Sequence, residues 1–206
     1  MRICTLIRID FSEGFRSIWR QALLIPGALI LQFSYLLVGY TGAGFSLTEL
    51  AWGDMLAVSF SGMSIYHPER NYPFVIPASW LMVCFILFFI PLRYPFRNLE
   101  GFGIQTVVAS GGRRSWWISK CLWISAYVLA FWICIFGLSA AVTAICSGDL
   151  SLTIGQDVVG SLMIDVIDFV STPRSLSILS ALGAGVCMSW ALCMVQFALR
   201  FGFGRF

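Results

Sequence analysis

Few residues in this sequence are equipped for chemistry, and they are scattered. His67 is the sole histidine and stands two places before Glu69, in the polar, proline-interrupted stretch 66–73. A histidine beside a carboxylate is the pairing of a general base; a solvated loop histidine is the simpler reading. There is no glycine-rich Lys-Ser/Thr phosphate loop, so the chain does not itself resemble a P-loop ATPase. Of seven cysteines, Cys84, Cys121, Cys134, Cys187 and Cys193 fall in or at the edge of apolar runs, and no C-x-x-C pair occurs. They read as small packing residues rather than a disulfide framework or a metal site. No cofactor or metal is expected on this chain. Inside the apolar runs the notable polar groups are Gln32, Ser34, Ser125 and Gln196. They are candidates to line a transport path, or else to hydrogen-bond neighbouring helices.

The elements that would carry these residues follow from composition. Apolar types make up 59% of the 206 residues and charged types only 11%, against about 25% in a soluble domain. Four stretches have no charge at all: 21–48, 71–92, 121–148 and 175–199. Each exceeds the roughly 20 residues a helix needs to cross about 30 Å of hydrocarbon. Lipid leaves backbone groups only helices or a closed barrel. Barrel strands alternate apolar with polar, whereas 81–89 reads LMVCFILFF. The expected fold is all-α: one polytopic domain over 1–206, with four transmembrane helices at about 20–41, 74–92, 117–141 and 176–199. Pro91 and Pro95 are expected to bracket the exit of the second.

Charge sets the orientation. Segments 1–20, 49–70, 93–120, 149–174 and 200–206 carry net +2, −2, +4, −3 and +2. Eleven of thirteen basic residues thus fall on one side, which is read as the cytosol. The chain is expected in a bacterial cytoplasmic membrane with both termini cytosolic.

Within 2–20, Ile3, Leu6, Ile7, Phe11, Phe15, Ile18 and Trp19 recur at three- and four-residue spacing among arginines. This suits an N-terminal amphipathic helix at the interface, or the first turns of a long first helix. Trp19 is expected to anchor the membrane boundary. A signal peptide is not expected, because the apolar run is too long and no small-residue cleavage site ends it. The outer loops hold two further apolar segments, 47–63 and 158–170, read as a short re-entrant or interfacial helix and an amphipathic outer-leaflet helix. Asp54 argues against a fifth span in the former.

The most particular stretch is 94–123, YPFRNLEGFGIQTVVASGGRRSWWISKCLW. Its glycine-containing turn, its basic residues, its Trp pair and the following Ser-Lys lead into a span. In this it resembles small ABC-2-like permease subunits of Gram-positive bacterial exporters. Members of that family have six spans, so the resemblance is to a shortened variant with four. The resemblance implies a permease that docks an ATP-binding partner through this cytosolic loop, with ATP bound on the partner. A short helix near 99–108 would contact it, exposing Glu100 and Gln105. Arg113 and Arg114 would meet an acidic partner surface or lipid phosphates. Trp116 and Trp117, with Lys120, would anchor the start of the third span. Leu99, Phe102 and Val107 add apolar groups at near-helical spacing, suited to a partner groove or to lipid. The plain alternative is a topology anchor without a partner.

Three function classes are therefore weighed. An enzyme finds little support. A permease subunit of an ATP-driven exporter fits the loop. The alternative is a non-catalytic structural or assembly subunit of a larger membrane complex. In the last two cases the partners are an ATPase, another membrane subunit or a second copy, together with lipid. Nucleic acid is not expected.

Overall fold

The computed structural model describes residues 3–60, 78–100, 112–153 and 178–203, and every regular element among them is helical. In order these are α1 (Ile3–Ala22), α2 (Leu24–Gly42), a 3-10 turn (Leu47–Glu49), α3 (Trp52–Phe60), α4 (Ala78–Glu100), α5 (Arg113–Cys146) and α6 (Ile178–Phe203). Three stretches are long and apolar enough to cross a membrane: Cys4–Gly42, which joins α1 to α2, Arg113–Cys146 and Leu182–Leu199. A shorter apolar helix covers Leu81–Pro95. The protein is a helical membrane protein. The segment 158–170 and the His67–Glu69 pair lie outside the described residues.

Two compact units divide the chain. One comprises Met1–Ile25, Cys84–Ile133 and Ala184–Phe206; the other comprises Pro26–Val83 and Cys134–Gly183.

In the first unit, α4 continues through Pro91 and Pro95 to Glu100 instead of ending there. Proline lacks the N–H that would reach the carbonyl four residues back. A membrane helix tolerates this when a neighbour takes over the freed group. Here the Cys193 thiol of α6 points at the Leu87 carbonyl, the one Pro91 releases, at 3.9 Å. Both prolines are fully buried, so the break is sealed from solvent. Polar side chains also tie the helices together. Tyr127 donates to the Ile86 carbonyl (3.1 Å), Trp132 to Ser189 (2.9 Å) and Trp190 to Ser125 (2.9 Å). Such bonds hold where apolar surface alone gives no preference for protein over lipid.

The second unit has its own small core, with Tyr40 and Leu50 buried among Leu37, Phe45, Leu47 and Cys146. Of the apolar segment 47–63, read as a short re-entrant or interfacial helix, the described residues 47–60 hold a 3-10 turn followed by α3. The opening N–H groups of a helix lack intrahelical partners. Those of Trp52 and Gly53 donate to the carbonyls of Asp149 (3.1 Å) and Ser151 (3.0 Å), and Asp54 reaches back to the Ala51 N–H (3.3 Å). The buried Asp54 therefore serves as a local cap. Position 53 must be glycine, because a Cβ there would collide with the Thr153 carbonyl oxygen. Trp52 donates to Ser139 (2.9 Å) and Ser147 to the Leu50 carbonyl (2.6 Å), fixing this assembly to the end of α5.

Candidate functional site

The chemistry of the first unit gathers on α1. Leu6, Asp10, Gly14 and Ile18 follow one another at four-residue steps, so they share one face of the helix, and all four are buried. An aspartate in that row needs partners. Asp10 has three. Lys120 Nζ lies 2.7 Å from Oδ1, Tyr94 donates to the same oxygen at 2.9 Å, and Ser119 donates to Oδ2 at 2.5 Å. Asp10 is 1% exposed and Lys120 0%.

Aromatic rings enclose the pair. The Lys120 ammonium sits 4.3 Å from the centre of the Tyr94 ring and 5.7 Å from that of Trp116, within reach of a cation–π attraction. Trp123 packs edge-on against Phe11 and Tyr94, with centroids 5.7 and 5.5 Å apart. It also covers Gly14, where a Cβ would stand 2.9 Å from the indole ring. Glycine is what lets α1 come this close. One turn later on α5, Ile124 is buried as well, and Trp116 and Trp117 both pack on Phe197 of α6, at 6.4 and 4.5 Å.

The position of the donors in the chain gives the site its meaning. Tyr94 precedes the loop that joins α4 to α5, and Ser119 and Lys120 follow it. Asp10 thus closes the base of that loop from outside. Three donors meet its two oxygens, so the carboxylate ties α1 to both α4 and α5. Removing one member of a buried ion pair typically costs about 3–5 kcal/mol, because the other charge is left uncompensated.

The structure distributes the expected site residues unevenly. Lys120, read as a boundary anchor, is fully buried against Asp10. Trp116 is buried and Trp117 half-buried, while Trp19 is exposed. Arg113 and Arg114 are exposed in the first turn of α5, which begins four residues earlier than the span expected from hydropathy. Leu99 and Glu100 form the last turn of α4; Phe102, Gln105 and Val107 lie outside the described residues. Among the polar candidates, Gln32 is buried and Gln196 half-buried, each with a carbonyl oxygen that has no hydrogen-bond partner among the described residues. Ser34 is exposed. Ser125 donates to the Cys121 carbonyl and accepts from Trp190. Gln32 and Ser34 belong to the second unit, Ser125 and Gln196 to the first.

Sequence reading missed Asp10, Tyr94, Ser119 and Trp123 as members of a site. A signal was present: Asp10 interrupts an otherwise apolar four-residue row, and Lys120 continues the row of Trp116 toward Ile124. Each is a charge on a buried face, which calls for a partner of opposite sign. The chain matches no family model, no curated protein and no solved structure.

Proposed function

We propose that the chain is the membrane-spanning permease subunit of an ATP-driven exporter, and that the loop between α4 and α5 docks the ATPase. In this reading α4 is the remaining span. Its apolar part, Leu81–Pro95, overlaps the uncharged sequence stretch 71–92, which has the roughly 20 residues a helix needs to cross about 30 Å of hydrocarbon. Four crossings place both termini on one side. The charge alternation makes that side the cytosol of a bacterial cell, with α1 at the cytosolic interface.

The observation that carries the proposal is the Asp10 junction. A loop that only marks topology needs its arginines and no fixed base. This loop is gripped on both flanks by one carboxylate, with Tyr94 before it and Ser119 and Lys120 after it. A rigid base is what a docking element requires if movement of the partner is to reach the helices. The resemblance of 94–123 to ABC-2-like permeases supports the same assignment. ATP would be bound by the partner.

The test is co-purification of an ATPase with the chain, normalised to membrane-inserted protein. Phe102→Asp with Val107→Asp is expected to preserve insertion, because Arg93, Arg97, Arg113 and Arg114 remain. It is also expected to cost several kcal/mol of binding, as buried interface anchors do. Undiminished recovery of the ATPase would overturn docking through this loop. A partner set of membrane proteins without any ATPase would instead favour an assembly subunit.

A further inference from the structure

A second face of α1, about 100° round the helix from the Asp10 row, has its own order. Phe15 and Trp19 stand four residues apart, 66% and 45% exposed, with Leu23 just past the end of α1 61% exposed; Phe11, at the inner edge of the row, is 37% exposed and also packs on Trp123. Arg16 and Arg20 each come directly after one of these aromatics, and Arg8 lies one turn before Phe11; all three are exposed. The Arg20 guanidinium lies 5.6 Å from the centre of the Trp19 ring. Glu13 is the one exposed carboxylate among the described residues of α1, so positive charge is in excess there. Asp10 offers no counter-charge, being sealed on the other face with Lys120.

We infer that this face binds anionic phospholipid, with the aromatic row set among the acyl chains and Arg8, Arg16 and Arg20 on the headgroup phosphates. The inference rests on the proposed interfacial placement of α1 and adds a lipid selectivity to it. The physical reason is the pairing of groups. A protein groove favours an apolar row that desolvates completely. Here the Arg20 guanidinium stands beside the Trp19 ring and Arg16 follows Phe15 in sequence, so an aromatic can enter the apolar phase while the arginine stays at the phosphate level. Charge complementarity then selects the lipid. Each basic residue near an anionic surface contributes roughly a five-fold preference. Because α1 also carries Asp10, the lipid contact and the base of the α4–α5 loop share one helix.

The test uses the intact chain in phosphatidylcholine nanodiscs that contain a minor fraction of acyl-brominated lipid. That lipid is either phosphatidylglycerol or phosphatidylcholine, at equal mole fraction. The chain has eight tryptophans, so the Trp19 contribution is taken as the quenching lost in Trp19→Leu. Trp19 is expected to be quenched by both lipids and several-fold more effectively by phosphatidylglycerol. In Arg16→Gln with Arg20→Gln that preference should disappear, while quenching by phosphatidylcholine stays. Both arginines are exposed, so this variant keeps the packed face intact. Equal quenching by the two lipids in the unaltered chain would overturn the selectivity and leave the interfacial placement standing. A preference that survives the double substitution would overturn the role of the arginines. No Trp19-dependent quenching by either lipid would overturn both readings and mean that a protein covers the face.

Discussion

Lys120 Nζ stands 2.7 Å from Asp10 Oδ1, and neither side chain is open to solvent. Across 110 positions of sequence this contact joins α1 to the start of α5. Tyr94 brings in the end of α4 at the same carboxylate oxygen.

If the pair is a structural clamp, its two halves are coupled. Asp10→Leu or Lys120→Met alone should each destabilise the protein by about 3–5 kcal/mol, since the remaining charge is buried without a partner. The double variant should recover most of that loss, as apolar replacements of a buried pair often do. Reversible denaturation of all four proteins in one detergent gives the double-mutant cycle. Additive losses would show that the two residues act independently.

Tyr94→Phe removes one donor to Asp10 and leaves the ring over Lys120 in place. A hydrogen bond to a charged group is worth about 1.5–3 kcal/mol. The loss should appear first as a loosened loop. Trypsin should therefore cleave at Arg113 or Arg114 faster in this variant than in the parent. An unchanged cleavage rate with a folded protein would mean that Tyr94 does not restrain the loop.

Gly14→Ala places a methyl group 2.9 Å from the Trp123 indole. Overpacking of this kind costs about 1–3 kcal/mol. Combined with Trp123→Leu, the added penalty from the alanine should vanish, because the clashing ring is gone. The readout is thermal unfolding in detergent, compared as Gly14→Ala against parent in both backgrounds.

In the second unit, Gly53→Ala should push the 149–153 segment away from the start of α3 and open the small core around Tyr40 and Leu50. Cys146 borders that core. In a variant that keeps Cys146 as its only thiol, labelling by a membrane-impermeant maleimide should rise several-fold. No change would show that the segment can shift without opening the core.

Reporter fusions test the orientation. Fusions near residues 69 and 160 should report the external side, and those near 105 and 206 the cytosol, as the alternating loop charges require. A cytosolic signal from 160 would overturn the four-span arrangement.

Much of this protein was legible in its sequence because the signals are local. An apolar run without charge declares a membrane helix wherever it lies, and α5 and α6 overlap the stretches that hydropathy marks. The recurrence of Ile3, Ile7, Phe11, Phe15 and Trp19 at four-residue steps already pointed to a helix where α1 lies. Charge counting was less informative at Lys120. It treated that residue as one more positive charge of the cytosolic loop, since a count does not register which face of a helix a residue occupies. Pro91 and Pro95 misled for a related reason. Proline ends a helix when its freed carbonyl is left unsatisfied, and at Pro91 only the neighbouring Cys193 thiol, which meets the Leu87 carbonyl, shows that here it is not. The sequence by itself therefore determined that the chain is helical and lies in a membrane, because those properties depend on composition and periodicity within one segment. Only the tertiary structure decided that Asp10, Tyr94, Ser119 and Lys120 form one junction. Their partnership spans separations of 84 to 110 residues, and it exists only because packing brings three helices together around a single buried carboxylate.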